Sequence, residues 1–338
     1  MSANALHMTS IRGLGPLPDL VEARLGPDGV RRLFDGSGLE PDIAARPGAM
    51  VPLRDMVGLF DRAARLTGDG LIGLRVGQQM PGGFGPWTRL VRAAPTLRHS
   101  LNRIRRGLAY HQSGGRLALD RAGPMARLSY HVPVAAPERR AQHVEHTLPA
   151  LFDMFGLYLG PGWRPARIEV DYPSHPRLAA LEDALQVPVI AGSAAPGLVF
   201  AAGALDAPRL APADTPVLSR DELRAILRDR PPRTLSETVR HLAEARLFLG
   251  ACDLPSVAGQ MHMTPRTLQR RLRAEGHSFT DLVDGLRLDR ARRLLTGSAL
   301  PVTEIAYQLG YSDTAHFSRA FRRLTGCSPS AYRLAGRA

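Results

Sequence analysis

The spacing of apolar residues divides this chain near residue 206. Residues 53–67, LRDMVGLFDRAARLT, set Met56, Val57, Leu59, Phe60, Ala63 and Ala64 at helical spacing, and residues 95–110 repeat the pattern with Leu97, Leu101, Ile104 and Leu108. Both segments predict amphipathic helices. Between 116 and 133 apolar and polar residues alternate on either side of RAGPM, which predicts a β-hairpin. Helical spacing returns over 138–159 with Val144, Leu148, Leu151, Phe152 and Phe155 on one face, predicting a single helix. A strand at 166–171, a short helix near 176–185 and two short buried strands at 187–191 and 197–202 follow. The first 205 residues therefore predict an α+β domain.

The stretch DAPRLAPADTP is rich in proline and supports no regular element, so 206–233 is expected to be a linker region, with one helix at 219–229. From 234 to 338 the pattern is all-α. Ser236 is the expected cap of the helix that follows.

Within VTEIAYQLGYSDTAHFSRAFRR, Ala306 is small enough for a close helix contact and Gly310 tolerates the positive φ of a tight turn. Ser312 is the expected cap of the second helix. Ile305, Ala306, Leu309, Phe317, Phe321 and Leu324 predict the interior of a helix-turn-helix spanning 302–325. That leaves Asp313, Thr314, His316, Ser318, Arg319, Arg322 and Arg323 facing solvent, with hydrogen-bonding groups for a DNA groove and arginines for phosphates.

A second copy lies upstream at 254–277, with Ala258 at the small position, His262 where Gly310 stands, and Thr264 before Pro265 as cap and first helical residue. Leu268 and Leu272 are expected inside, and Arg266, Thr267, Gln269, Arg270 and Arg273 outside. The copies repeat 48 residues apart, Thr264 to Ser312. A helix carrying Leu282, Val283, Leu286, Leu288, Ala291, Leu294 and Leu295 lies between them, so two units held apart rigidly could enter two successive major grooves.

Charge supports a polyanionic partner, since 44 basic residues face 31 acidic ones for a net +13, and every basic residue is Arg. Cys252 and Cys327 are too few for a disulfide framework and lack metal spacing, which fits a reducing cytoplasm. The opening MSANALHMTSIRG lacks the pattern of an export signal. Residues 184–205 run uncharged for about the length of a membrane span, but Pro188, Pro196 and GSAAPG break any helix there, so no membrane partner is expected.

Residues 234–335, and most sharply GYSDTAHFSRAFRRLTGCSPSAYR, resemble the tandem helix-turn-helix DNA-binding domain of the AraC/XylS family of bacterial transcription regulators. The resemblance implies a DNA-binding activator working with RNA polymerase, possible as a homodimer, and makes the second helix of each unit the recognition helix. Arg266, Gln269 and Arg270 are nominated in the first unit, and Thr314, His316 and Arg319 in the second. Less sharply, VPLRDMVGLFDRAARLTGDGLIGLRVGQ (51–78) and GWRPARIEVDYPSHP (162–176) resemble the arabinose-binding-domain-type region of a subgroup that includes ornithine-utilisation and virulence-type regulators. The short all-β sugar-binding pattern of the arabinose regulator itself is not present, and the resemblance implies that 1–205 is a regulatory domain for binding an effector or for dimerisation.

Trp87, Tyr110, His111, His146 and Phe152 are candidate lining for an effector pocket, although core packing explains most of them equally well. An arginine in that pocket would favour a carboxylate effector. His143 and His146 stand at a spacing that could ligate a metal, but without a placed third ligand they read as helix-surface residues, and no metal or cofactor is expected. The glycines of MPGGFGPW (80–87) read as a plain turn. Enzyme fusions of this DNA-binding module would need a reactive Cys in the first part of the chain, whereas both cysteines lie after residue 250, so no enzyme is expected. The alternative is an effector-independent architectural DNA-binding protein, which would not need some 200 residues of α+β structure ahead of the DNA-binding unit.

Overall fold

The computed structural model describes residues 6–46, 48–80, 84–134, 136–211, 218–228, 230–248 and 252–335. The chain forms two compact units, one of His7–Pro231 and one built chiefly from Pro232–Ala338. The glycines at 82 and 83 of the predicted 80–87 turn fall outside the described residues.

In chain order the first unit carries β1 (Met8–Ser10), α1 (Leu17–Phe34), β2 (Met50–Pro52), α2 (Leu53–Thr67), α3 (Ile72–Gln78), α4 (Trp87–Arg92), α5 (Leu97–Gly107), β3 (Arg116–Ala122) and β4 (Met125–His131). There follow α6 (Pro137–Glu145), α7 (Leu148–Leu159), β5 (Arg167–Glu169), α8 (Arg177–Leu185), β6 (Val189–Ile190), β7 (Gly197–Ala201) and α9 (Arg220–Arg228). Five strands form one sheet in the order β3-β4-β7-β5-β6. All neighbours are antiparallel except β5 and β6, which the crossover through α8 makes parallel. The two short strands expected on either side of GSAAPG are thus both present, but β5 lies between them. None of the described helices is long and apolar enough to cross a membrane.

The predicted helix over 138–159 is two helices. Pro149 has no amide hydrogen to donate and its ring crowds the carbonyl four residues back, so the helix stops at Glu145 and restarts at Leu148. The sheet and α5, α7 and α8 enclose one core around Phe155, Phe200, Leu101, Leu181 and Leu198. A second core joins α1, α2 and α3 through Leu17, Val21, Met56, Leu59, Phe60 and Val76.

In the second unit, α10 (Leu235–Phe248) is followed by α11 (Leu254–Gln260), α12 (Pro265–Ala274), α13 (Phe279–Gly297), α14 (Val302–Gln308), α15 (Thr314–Thr325) and α16 (Pro329–Ala335). Thr234, and not Ser236, caps α10: its hydroxyl accepts from the Glu237 amide at 3.1 Å, and the Glu237 carboxylate accepts from the Arg233 amide at 2.7 Å. The long helix α13 belongs to two cores at once. Val283 and Leu286 pack with Ala243 and Leu247 of α10, while Ala291 and Leu295 pack with Ile305, Ala306, Leu309, Phe317 and Phe321.

Candidate nucleic-acid interface and effector pocket

Both helix pairs turn through a left-handed residue. Gly310 has φ 77°, and His262 adopts φ 51° at the corresponding place in the first pair. Ala258 and Ala306 are fully buried where the helices meet, as are Leu268 and Leu272 on α12. Thr264 caps α12 by accepting from the Thr267 amide at 3.2 Å, and Pro265 supplies a first helical position that needs no donor.

On α15 the cap is Asp313, which accepts from the His316 amide at 2.6 Å, and not Ser312, whose hydroxyl only donates to that carboxylate at 3.4 Å. The second turn is accordingly one residue longer than the first. Bonding to the helix amide holds the Asp313 carboxyl below its usual pKa, so it stays ionised at the helix start and would repel a phosphate there. Leu324, expected inside, is 41% exposed. Tyr332 of α16 closes the core over Phe321, with ring centroids 5.5 Å apart, and leaves Leu324 beyond it.

On α12, Arg266, Gln269, Arg270 and Arg273 are exposed at positions that share one helical face, while Thr267 is half-buried with its hydroxyl 2.9 Å from that of Thr264. On α15, His316, Arg319, Arg322 and Arg323 are exposed, and Thr314 and Ser318 half-buried. The His316 ring stands edge-on to Tyr311 at 5.3 Å. Arg323 is also bonded to Asp284 of α13 at 2.8 Å, which ties one arginine of the exposed set back to the scaffold.

Arg287 of α13 was not among the sequence candidates. It donates to the Leu309 carbonyl at 3.2 Å and lies over the Tyr311 ring at 5.1 Å, clamping the second turn. An arginine inside a leucine-rich helix carries no sequence signal for that role.

In the first unit, a mostly apolar cavity of about 90 Å³ opens between α4, α5, α7 and the hairpin. Trp87, His111 and His146 line it, as does His143, while Tyr110 and Phe152 do not. Tyr110 borders a separate small cleft beside Arg12, and Phe152 packs against Trp163 at 6.3 Å. Arg92 and Asp153, of opposite sign, also line the cavity.

The polar wall follows from local structure. A 3-10 turn at Leu108–Tyr110 ends α5, and the next residues bond to β1: the Ser10 amide donates to the His111 carbonyl, and the Ser113 amide to that of Met8, both at 2.8 Å. That pairing fixes His111 and Gln112. The Tyr130 hydroxyl donates to Gln112 Oε1 at 2.9 Å. His143 and His146 lie one turn apart on α6 and its end, 2% and 1% exposed, so they are buried and not helix-surface residues.

The rotation of α6 is pinned on its other side. The Gln142 amide group donates to the Gly70 carbonyl at 2.6 Å and its oxygen accepts from the Gly73 amide at 2.8 Å, while Glu145 is bonded by Tyr172 and Arg177. Burial lowers the pKa of all three histidines: His111 to about 3, His146 to about 4 and His143 well below its ordinary value. They are neutral at physiological pH. Among the described residues no cluster of ligating side chains is arranged to hold a metal ion.

The family described as "Arabinose-binding domain of AraC transcription regulator, N-term" matches residues 29–209, and a helix-turn-helix domain family matches 257–335. The chain belongs to the AraC family of transcription regulators. This AraC-family chain is 44% identical over 103 residues to the HTH-type transcriptional regulator VirS of Mycobacterium tuberculosis, covering 30% of each chain, so it spans less than a third of that relative's length. It is 27% identical over 313 residues to the Ornithine utilization regulator of Pseudomonas aeruginosa, covering 89% of both. The crystal structure of transcriptional regulator CdpR from Pseudomonas aeruginosa shares 25% identity over 78% of this chain and 86% of that one, with a TM-score of 0.35. The family's members are DNA-binding transcription regulators and not enzymes.

Proposed function

We propose that this regulator binds specific promoter sites in the cytoplasm, with α12 and α15 entering two successive major grooves, and that occupancy of the pocket in its first unit tunes transcription. The observation that carries the reading is the pair of capped helices, each presenting arginines beside hydrogen-bonding side chains on one exposed face. Arg266, Gln269, Arg270 and Arg273 on α12, and His316, Arg319 and Arg322 on α15, are the candidate contacts. Thr267, Thr314 and Ser318 stand at the margin of these faces. Asp313 acts by holding the start of α15, and Arg323, bonded to Asp284 through one nitrogen, keeps exposed donors for a phosphate.

Activation, contact with RNA polymerase and assembly as a homodimer follow from the family resemblance. The pocket supports the effector role, and an architectural DNA binder would have no use for it.

A genome-wide map of fragments bound by the purified full-length protein tests the reading, and sharp enrichment of one motif near promoters is expected. Arg270→Ala and Arg319→Ala should each weaken binding to that motif by about 1–3 kcal/mol while barely changing binding to a scrambled duplex. Equal losses on both duplexes would make these arginines phosphate ligands. Diffuse enrichment that disappears as salt rises would instead favour the architectural alternative.

A further inference from the structure

The histidine wall of the cavity has more hydrogen-bonding capacity than the protein uses. His143 Nδ1 and Nε2, His146 Nε2, His111 Nδ1 and Gln112 Nε2 are buried without a hydrogen-bond partner among the described residues. All four residues line the cavity. Buried polar atoms in native proteins are nearly always paired, so a group of orphans around one space marks where a further molecule bonds. The rings are fixed there by aromatic contacts: His146 lies 4.7 Å from Phe60 and 5.3 Å from Phe84, His143 lies 4.9 Å from His146, and Phe84 stands edge-on to His111 at 5.1 Å.

The chemistry of this wall limits what it accepts. His146 Nδ1 donates to the His143 carbonyl, so its free Nε2 accepts, while neutral His143, with both nitrogens unbonded, offers one donor and one acceptor and Gln112 Nε2 donates, a set that suits a hydroxyl or amide that both gives and takes a hydrogen bond. A full charge among neutral rings would lack a counter-charge on that wall, and burying an unpaired charge is costly. Arg92, which would favour a carboxylate, lines the space together with Asp153, which would disfavour one, so the two add no net charge to it. Elsewhere in the lining, Trp87, Val91, Ile104, Leu108, Leu117 and Met154 offer only apolar surface, apart from the indole nitrogen, which is bonded to the Phe84 carbonyl. Size sets the last limit. At roughly 10–15 Å³ for each water-sized site, a cavity of about 90 Å³ holds a molecule of about six to nine non-hydrogen atoms.

We propose that the first unit binds an uncharged, largely apolar small molecule with a single hydroxyl- or amide-type head, the head bonding to the His111–His143–His146 wall and the body filling the apolar side. This deepens, and rests on, the reading of the cavity as an effector pocket.

Calorimetric titration of the full-length protein with phenol, benzyl alcohol, benzamide, toluene, benzoate and benzylamine tests it. The three uncharged probes with heads should bind at about millimolar concentration, with phenol about tenfold or more tighter than toluene, which lacks the head. Ala150→Phe, which fills the cavity from α7, should abolish this binding, and His143→Leu should bring phenol down to the level of toluene. Benzoate or benzylamine binding as tightly as phenol, and losing it in Ala150→Phe, would overturn the uncharged class and leave the pocket standing. Absence of binding by all six probes would overturn the pocket reading as well, leaving the nitrogens to water. Should His143→Leu fail to fold, the comparison of phenol with toluene and the Ala150→Phe variant still decide between these outcomes.

Discussion

Ser312 and Asp313 are both good capping residues, and the choice between them turns on where Tyr311 goes. The left-handed turn at Gly310 sends Tyr311 into the core, where it is 8% exposed beside Phe317, and the chain needs two further residues before α15 begins. In the first pair His262 is followed by Met263 and then directly by the cap, Thr264. A sequence comparison aligned on the glycine therefore places the second cap one residue early. Asp313→Ala should lower stability by about 1 kcal/mol in urea unfolding, and Ser312→Ala should leave it within about 0.5 kcal/mol. The reverse ranking would contradict the longer turn. Position and charge alone also do not reveal that Arg323 of the exposed set is bonded to Asp284 on a different helix.

Strong periodicity made the elements legible. The helices at 53–67 and 97–107 and the hairpin at 116–131 have apolar positions that repeat cleanly, and the structure places them within a few residues of the pattern. The order β3-β4-β7-β5-β6 was not legible, since strands of two to five residues carry no record of their neighbours. Nor was the burial of His143 and His146, because their surroundings come from α2, from α3 and from Phe84, remote in sequence. The approach of α3 is itself encoded in two glycines. A β-carbon at Gly73 would overlap the backbone carbonyl of Gln142, and one at Gly77 that of His146. Gly77→Ala is expected to cost about 1–3 kcal/mol by forcing α3 from the end of α6, read as a fall in melting temperature. An unchanged midpoint would mean the two helices can separate freely.

At the scale of the molecule, acid should act first on the unit that holds the histidines. The folded chain keeps His111, His143 and His146 neutral, whereas the unfolded chain protonates them near pH 6.5, so unfolding takes up protons below that value. Stability is then greatest above about pH 6.5 and declines as pH falls toward about 4, by at most about 1.4 kcal/mol per pH unit for each such ring. The raised pKa of Glu145 works in the opposite sense but offsets at most one of the three rings, so a net decline is expected over the range from pH 7.5 to 5.5. Both tryptophans, Trp87 and Trp163, lie in the first unit, and their fluorescence during urea unfolding reads this unit alone. A midpoint independent of pH over that range would contradict the burial of the rings.

The double membership of α13 constrains the target as much as the protein. One continuous helix carries residues of both cores, and Arg287 on it clamps the second turn, so α15 and the helix α10 on which α12 packs share a common rod. With α12 and α15 each seated in its own groove, inserting one base pair between the two half-sites would swing the second by about 34° around the duplex axis, given about 10.5 base pairs per turn. A jointed reader could follow that swing. A rod cannot, so on the proposed reading one inserted base pair is expected to weaken binding sharply even with both half-sites intact, read by gel shift on duplexes of altered spacing.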